Sequence, residues 1–274
     1  RAGALAAFVV GTLTFAGGRL GFTLVLLAFF VPSVLLSRLG RDRKRALVDV
    51  GKHGARDAMQ VLANGGVAAL CALAYALTND FRFAWAFAGA FAAATADTWA
   101  TEIGTYGAQT PRSILNGRPV AAGLSGGVTL AGTCAEIAGA LWIGTVMVAL
   151  TAASAAASVA EVARHLGRTA GAPASALAVG LPPPLGITAL GAAGVVIAVL
   201  AIPLGGVIGA TLDSVLGATL QELRRCDACK RTCETDPHAC GAATRIVRGM
   251  PGLSNDVVNA VATAAGALVA FALA

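Results

Sequence analysis

The chain has 274 residues, of which 57% are hydrophobic and only 12% are charged, and its mean hydropathy is +0.75. Since an ordinary soluble domain carries about twice that charged fraction, the composition excludes a soluble globular domain and predicts an all-α, polytopic membrane protein. The formal net charge of +6 comes from Lys and Arg residues in loops beside apolar segments. Membrane topology and contact with anionic lipid headgroups explain this clustering better than binding to nucleic acid does.

Several apolar stretches approach or exceed the roughly 20 residues that a helix needs to cross a bilayer. The sixth stretch is too long for one straight span, and Pro203-Leu-Gly-Gly206 offers a natural kink or break. We predict a single transmembrane domain over residues 1–274, built as a helical bundle of about seven transmembrane helices. The predicted spans are residues 2–17, 20–37, 57–77, 83–104, 124–149, 186–221 and 255–274. No cleavable signal peptide is expected.

The basic residues of the chain fall in alternate loops. They concentrate in three segments: a basic loop at 38–56, the segment that follows the fourth span, and a Cys-rich loop at 222–253. The turn at 78–82 and the variable Ala/Ser/Pro-rich loop at 151–185 are poorer in charge. Because positive loops stay on the cytoplasmic side, we expect the N-terminus and the three basic segments to face the cytoplasm.

Two carboxylates, Asp97 and Glu102, end the fourth span. Ionisable groups at membrane depth are costly to desolvate and usually mark a substrate or ion site; the alternative is an interfacial carboxylate held by Lys or Arg. Asp97 shares a helix face with the small residues Ala100 and Gly104. Glu102 points roughly 140° away, so we expect both acids to reach one site only if the helix ends or unwinds near Gly104.

Three further helical stripes place polar side chains near the same side of the membrane. Arg56 is a candidate phosphate ligand because its planar fork matches phosphate oxygens, although snorkelling to lipid headgroups is the alternative, above all for Lys52. Alternatively, the stripes have no function beyond joining neighbouring helices. Together with the fourth span they predict one polar cavity open to the cytoplasm. The stripes are Lys52, Arg56, Gln60 and Asn64; Gly209, Asp213, Gly217 and Gln221; and Asn255, Asn259 and Thr263, with Asp256 beside them.

The segment 105–127 is a Gly/Pro/Arg loop that contains Arg112 and enters the fifth span. We expect Ser125 and Gly126 at a helix start, where free backbone N–H groups favour an anion; an ordinary capped loop is the alternative. No G-x-x-x-x-G-K-[ST] motif occurs, which excludes a P-loop kinase. Glu136 falls in the middle of the fifth span, either protonated or hydrogen-bonded to Ser or Thr of a neighbouring helix, and receives no role.

Four of the six cysteines lie together in the Cys-rich loop. Four thiolates, or three with the histidine, could hold zinc tetrahedrally, and a reducing cytoplasm argues against structural disulfides. The alternatives are a redox-inert loop or a disulfide formed on purification. The candidate zinc ligands are Cys226, Cys229, Cys233, His238 and Cys240.

Five segments of the chain together resemble an uncharacterised-membrane-protein family that contains the plant phytyl-phosphate kinase of vitamin E biosynthesis. The pattern Asp97-x-x-Ala-x-x-x-Gly104 also looks like the nucleotide-site motif of CTP-dependent polyprenol kinases and CDP-lipid synthases. The Cys-rich loop is similar to a C-x-x-C…H-C loop of some members. The five segments are Arg56-Asp-Ala-Met-Gln-Val-Leu-Ala-Asn-Gly-Gly66, Ala96-Asp-Thr-Trp-Ala-Thr-Glu-Ile-Gly104, Ser125-Gly-Gly-Val-Thr129, Asp213-Ser-Val-Leu-Gly-Ala-Thr-Leu-Gln221 and Ser254-Asn-Asp-Val-Val-Asn259.

This resemblance implies phosphoryl transfer from CTP, or another nucleoside triphosphate, to an isoprenoid monophosphate at the bilayer. On this hypothesis Asp97, Asp213 and Asp256 hold Mg²⁺, whose preferred protein ligands are carboxylate oxygens, and Glu102 is a fourth catalytic carboxylate. Phosphoryl transfer depends chiefly on positioning and charge neutralisation. The residues expected to bind phosphates or orient substrates are Lys52, Arg56, Gln60, Asn64, Arg112, Ser125, Gly126, Asn255 and Asn259.

Two other functions use the same residues. A transporter or lipid flippase would bind coupling ions at the acids, but its pathway needs an outer half, and the outer halves of the predicted spans are almost wholly apolar. Cytidylyl transfer to the lipid phosphate would use the same substrates and yield a CMP-lipid and pyrophosphate, so that only analysis of the product separates it from the kinase reaction.

Overall fold

The computed structural model describes residues 1–39, 57–107, 109–167 and 187–274. Lys52 and Arg56, with most of the basic loop and the second half of the variable loop, lie outside the described residues. The described chain forms a helical bundle with two small sheets, which confirms the predicted fold class. The helices are α1 (Ala2–Arg38), α2 (Ala58–Thr78), α3 (Phe81–Tyr106), α4 (Leu130–Gly167), α5 (Ile187–Thr219) and α6 (Asn255–Ala272). The strands are β1 (Arg112–Ser113), β2 (Gly127–Val128), β3 (Leu223–Cys226), β4 (Thr232–Cys233) and β5 (Thr244–Arg248).

Helix α1 consists of two arms that are separated at Gly18 and Arg19, where the backbone leaves helical geometry and Arg19 adopts φ 48°. The first arm packs on α2, where Gly65 leaves room for the side chain of Val10. The second arm packs on α3, with the ring of Phe22 stacked on that of Phe87 at a centroid distance of 4.1 Å. Since α2 and α3 are joined by a tight turn and run in opposite directions, the two arms of α1 form a hairpin. The predicted boundary between the first two spans is therefore correct.

Helix α3 forms the centre of the bundle, and every residue from Ala84 to Ala96 is buried. Small side chains let neighbouring helices approach its backbone closely: a Cβ added at Gly89 would lie 2.5 Å from the carbonyl oxygen of Gly266 in α6. The other five described helices are long and apolar enough to cross a membrane. With the two arms of α1 counted separately and α3 enclosed by the rest, seven helical segments cross the described bundle.

The bounds of α4 and α5 differ from those predicted. Helix α4 begins at Leu130 rather than 124, because the Gly-rich chain before it forms turns and strand β2. It continues to Gly167, into the predicted variable loop 151–185, where alanine gives the chain a high helix propensity. Helix α5 runs without a break through Pro203, whose ring lies against Gly144 of α4, where a Cβ would come within 2.7 Å of it.

The Cys-rich loop contains an antiparallel three-stranded sheet in the order β4-β3-β5, which the sequence analysis did not predict. In the central strand, the guanidinium of Arg224 lies 3.2 Å from carboxylate oxygens of both Glu222 and Asp236. Asp236 in turn accepts hydrogen bonds from the backbone N–H and the hydroxyl of Thr244. These contacts join parts of the loop to one another, while Arg248 of β5 donates a hydrogen bond to the carbonyl oxygen of Gly217 in α5 at 3.0 Å and so holds the sheet against that helix.

Candidate functional site

A cavity of about 780 Å³ lies at the end of the bundle where the segments 107–130 and 220–254 connect the helices. Its walls are the last turns of α3, the first turns of α4, the end of α5 and the start of α6, with Ser37 from the end of α1 and Gln60 from the start of α2. Pro111 and the chain segments 123–129 and 234–235 add to the lining. One chamber is therefore built from parts of the chain that are far apart in sequence.

Six carboxylate side chains line this cavity, although the whole chain has only 14 acidic residues. No Lys or Arg occurs among the lining residues that the structure describes. Carboxylates are costly to remove from water, and six of them around one chamber suit it to cations that bind carboxylate oxygens. The six are Asp97, Glu102, Glu136, Asp213, Glu234 and Asp256.

The carboxylates of the cavity interact with one another through charge. Asp97 is close enough to Glu136, and Asp213 to both Asp97 and Glu234, for direct electrostatic interaction. Glu136 accepts a hydrogen bond from the hydroxyl of Thr211 on α5 at 3.0 Å. In contrast, Oδ2 of Asp213 is buried and has no hydrogen-bond partner among the described residues. Asp213 therefore presents an oxygen that a bound cation can coordinate.

All four acids predicted as catalytic, Asp97, Glu102, Asp213 and Asp256, line the cavity. The condition expected for Asp97 and Glu102 to share a site, a helix that ends or unwinds near Gly104, is met. Helix α3 ends at Tyr106, close after Gly104, and the cavity extends around its final turns. A broad chamber can be lined by residues on more than one face of a helix.

The predicted three-carboxylate magnesium shell is looser in the structure than expected. Within the described part of the chain, the one group of three or more metal-ligating side chains whose ligand atoms lie within 4.8 Å of one another belongs to the Cys-rich loop. Asp97, Asp213 and Asp256 share the chamber but do not form such a compact set. Mg²⁺ keeps several waters and commonly binds one or two carboxylates directly, so a more open arrangement still suits that ion.

Of the residues predicted to bind substrate that the structure describes, which exclude Lys52 and Arg56, four line the cavity and three do not. Asn64 donates a hydrogen bond to the carbonyl oxygen of Gln60 in its own helix at 2.9 Å. Arg112 is exposed and donates to the carbonyl oxygen of Gly117 at 2.8 Å. The lining residues of this set are Gln60, Ser125, Gly126 and Asn255, and those outside the lining are Asn64, Arg112 and Asn259.

Ser125 and Gly126 do not start a helix, contrary to expectation, because α4 begins only at Leu130. The backbone N–H of Ser125 instead donates to a carboxylate oxygen of Glu234 at 3.1 Å, and the Ser125 hydroxyl accepts from the side-chain amide of Gln221 at 3.0 Å. The anion bound at Ser125 in this structure is thus a carboxylate of the protein itself. Burial raises the pKa of Glu234.

Glu136 and Glu234 are lining residues to which the sequence analysis gave no role. Glu136 was placed in mid-span because the helix start was predicted six residues too early; with α4 starting at Leu130, it lies in the second turn, level with the cavity. Of the two alternatives for Glu136, protonation or a hydrogen bond to Ser or Thr of a neighbouring helix, the structure shows the hydrogen bond, from Thr211. Glu234 follows Cys233 in a loop whose sequence carries no signal for the fold that brings it to Ser125.

The Cys-rich loop contains a second cluster, formed by Cys226, Cys229, His238 and Cys240. The fifth candidate ligand, Cys233, is not part of it; its thiol faces the carbonyl oxygen of Thr235 at 3.6 Å. A hydrogen bond with His238 lowers the pKa of the Cys240 thiol to about 6. Hydrogen bonding to Cys240 raises the pKa of Cys229 to about 11.

Comparison with known proteins places these features in a family. The integral membrane protein family DUF92 matches residues 1–267. Protein PGR of Arabidopsis thaliana is 31% identical over 277 aligned residues, which cover 94% of this chain and 83% of that protein. Uncharacterized membrane protein MJ0933 of Methanocaldococcus jannaschii is 36% identical over 126 residues, covering 45% of this chain and 50% of that protein. Uncharacterized membrane protein sll0875 of Synechocystis sp. is 32% identical over 140 residues, covering 49% and 54%. No solved structure matches the chain.

Proposed function

The chain belongs to the DUF92 family of integral membrane proteins, and from its acidic membrane cavity and the sequence resemblance to prenyl-phosphate kinases we propose that it is an integral membrane isoprenoid monophosphate kinase. The proposed reaction transfers a phosphoryl group from CTP, or another nucleoside triphosphate, to an isoprenoid monophosphate and yields the prenyl diphosphate.

The observation that supports this proposal most strongly is the set of six carboxylates in a cavity whose described lining has no Lys or Arg. A nucleoside triphosphate is strongly anionic and enters such a site only together with divalent cations, which neutralise both the phosphates and the carboxylates. The sequence offers Lys52 and Arg56, four or more residues before the cavity residue Gln60, as the cationic partners of the phosphates.

Mg²⁺ fits the donor set of the cavity, because carboxylate oxygens are its preferred protein ligands and Oδ2 of Asp213 has no partner among the described residues. Asp213, Asp97 and Asp256 would hold it. When bound, Mg²⁺ neutralises charge that develops on the transferring phosphoryl group. Glu102 and Glu136 add negative potential around that position, and Thr211 orients the Glu136 carboxylate through its hydrogen bond.

The start of α6 can orient phosphate oxygens. Ser254 is the N-cap of this helix and makes no side-chain capping hydrogen bond, and the N-terminus of a helix favours anions through its backbone N–H groups and its dipole. Ser254 and Asn255 both line the cavity. An acceptor that is already a phosphate monoester needs no strong general base, and among the described lining residues there is no histidine.

The proposed active site faces the cytoplasm. The basic connecting segments after α3 and after α5 lie at the cavity end of the bundle, and positively charged loops stay in the cytoplasm. Toward the other end, α3 is packed with the fully buried side chains of Trp85, Phe87 and Phe91. That apolar packing supports an enzyme with access from one side more than a transporter, which needs a second half to its pathway.

Purified full-length protein, incubated with Mg²⁺, each nucleoside triphosphate in turn and a panel of prenyl monophosphates, tests the proposal. We expect a Mg²⁺-dependent prenyl diphosphate and the nucleoside diphosphate, identified by mass spectrometry. A CMP-lipid with pyrophosphate would instead establish cytidylyl transfer. If no product forms and reconstituted vesicles move a phosphorylated lipid or an ion across the bilayer, the transporter is correct and the kinase is excluded.

The variants Asp97→Asn and Asp227→Asn form a matched pair for this assay. Asp97 lines the cavity, whereas Asp227 pairs with Arg245 on the exposed surface of the Cys-rich loop at 3.2 Å. We expect the first to abolish measurable turnover and the second to leave it unchanged. Equal turnover in both variants would contradict the placement of the reaction in this cavity.

A further inference from the structure

The cluster of Cys226, Cys229, His238 and Cys240 has the dimensions of a closed metal shell. The Sγ atoms of Cys226 and Cys240 are 3.6 Å apart, and Nδ1 of His238 is 3.1 Å from Sγ of Cys240. A tetrahedral zinc ion with Zn–S bonds of about 2.3 Å separates its sulfur ligands by about 3.8 Å. The ligand atoms of all four residues lie within 4.8 Å of one another, so small side-chain shifts suffice to bring them around one ion.

Two turns of the Cys-rich loop supply the ligands in pairs. Cys226 ends β3 and Cys229 lies in the turn to β4, where the backbone N–H of Cys229 points to the sulfur of Cys226 at 3.5 Å. His238 and Cys240 lie in the connection to β5, which is closed by a hydrogen bond from the N–H of Gly241 to the carbonyl oxygen of His238. Backbone N–H groups directed at ligand atoms are a typical outer shell of a metal site.

We propose that Cys226, Cys229, His238 and Cys240 bind one structural Zn²⁺ ion through three sulfurs and one imidazole nitrogen, and that this ion holds Glu234 in the acidic cavity. Cys233 is not a ligand. Soft thiolates and imidazole in a four-coordinate set select zinc among the abundant cellular cations, and a full set of protein ligands leaves no open position for catalysis.

The position of Glu234 links the proposed zinc ion to the cavity. The segment between the ligands Cys229 and His238 contains Glu234 and Thr235, both of which line the cavity. Glu234 is anchored there by the backbone N–H of Ser125 at 3.1 Å. Because zinc closes the sheet on both sides of this segment, loss of the ion frees the segment and removes a carboxylate from the cavity lining.

The metal content of the wild-type protein is the first test. Full-length protein purified in detergent without metal-affinity chromatography or added metal is expected to contain about one zinc ion per chain, measured by inductively coupled plasma mass spectrometry. After exchange with Co²⁺, thiolate-to-cobalt charge-transfer absorption is expected with the intensity of three thiolates. Protein that lacks zinc and has free thiols, or a disulfide between Cys226 and Cys240, overturns the proposal.

Single substitutions to serine distinguish ligands from neighbours. Cys226→Ser, Cys229→Ser and Cys240→Ser are each expected to lose zinc or to lower the cobalt charge-transfer intensity by about a third, the share of one sulfur in three. Cys233→Ser and Cys134→Ser, which remove a buried thiol of the same loop and an exposed one on α4, are expected to keep the full zinc content. Loss of zinc from Cys233→Ser protein whose helices melt normally would contradict the ligand set.

Hydrogen exchange tests the second part of the proposal. Removal of zinc from the wild-type protein by a chelator is expected to accelerate exchange in residues 222–253 and, by about tenfold, at the amide of Ser125, since that N–H loses its carboxylate acceptor. Glu234→Gln in zinc-loaded protein serves as a comparison that weakens the same hydrogen bond and keeps the ion. Unchanged exchange at residues 123–127 after zinc removal would show that the ion does not position Glu234.

Discussion

The substitution Asp213→Asn tests the central residue of the proposed magnesium site, a buried carboxylate. Asparagine keeps the shape of the side chain but removes its charge. In the native protein, Oδ2 of Asp213 has no hydrogen-bond partner among the described residues, and Asp97 and Glu234 lie within electrostatic range. We therefore expect the variant to fold better without metal and to lose activity with it.

The size of the two effects follows from electrostatics. Two carboxylates about 6 Å apart repel by about 3 kcal/mol at an effective dielectric constant of about 20. Because the surrounding side chains and water adjust to the charges and lower that value, we expect Asp213→Asn to raise the free energy of unfolding by about 1–3 kcal/mol. In a protein of this size, each 1 kcal/mol shifts the melting temperature by about 2–4 °C. Loss of one charge-stabilising group from the reacting centre lowers turnover by about 10²–10³-fold.

Thermal melting in detergent, with and without Mg²⁺ and CTP, is the assay, alongside turnover of the prenyl monophosphate. Saturating ligand at about 100 times its Kd stabilises the wild-type protein by about 2.7 kcal/mol, and Asp213→Asn should lose most of this gain. Asp227→Asn, which breaks an exposed ion pair worth at most about 1 kcal/mol, is the control. A variant that melts lower without ligand but keeps its turnover would refute the reasoning and make Asp213 a structural residue.

Two further predictions concern the surroundings of the cavity. Gly126→Ala should lower the free energy of unfolding by about 2–4 kcal/mol, since φ is +82° and the new methyl group would overlap Ala218. The control Gly117→Ala, at φ +69° in open space, should lower it by about 1–2 kcal/mol in the same melting experiment. Equal losses would mean that contact with Ala218 is unimportant. Arg56→Ala should weaken nucleotide binding, measured by titration calorimetry, far more than Lys52→Ala, because a guanidinium can bind phosphate with two parallel hydrogen bonds; equal and small effects would assign this stripe to lipid headgroups.

The number and order of the membrane segments could be predicted from the sequence because each depends on local properties. A span needs an uninterrupted apolar run, and a boundary needs a charge, a proline or a glycine. Even the hairpin within α1 has a local cause at Gly18 and Arg19. The start of α4 was harder to predict, since Gly, Ser and Ala favour neither helix nor turn strongly enough to decide where the chain at 124–130 becomes helical.

The four acids predicted as catalytic could be singled out for a similar reason: a carboxylate such as Asp97 or Asp213 is conspicuous in an apolar helix, where its desolvation needs compensation. Glu234 was not conspicuous, because it occurs in a polar loop where an acidic residue is ordinary. The sequence likewise offered five candidate zinc ligands of equal standing, and only the sheet geometry separates Cys233 from the other four.

The sequence by itself thus determined the membrane class of the protein, its spans and the side of the bundle on which its polar residues collect. The tertiary structure alone decided which of those residues share one chamber. Helical periodicity reports the direction of a side chain from its own helix axis, but not the distance to the neighbouring helix or the width of the space between them. Asp97 and Glu102 line one cavity, and Glu136 and Glu234 join them, because the ends of the described helices and a folded loop meet at that level of the bundle.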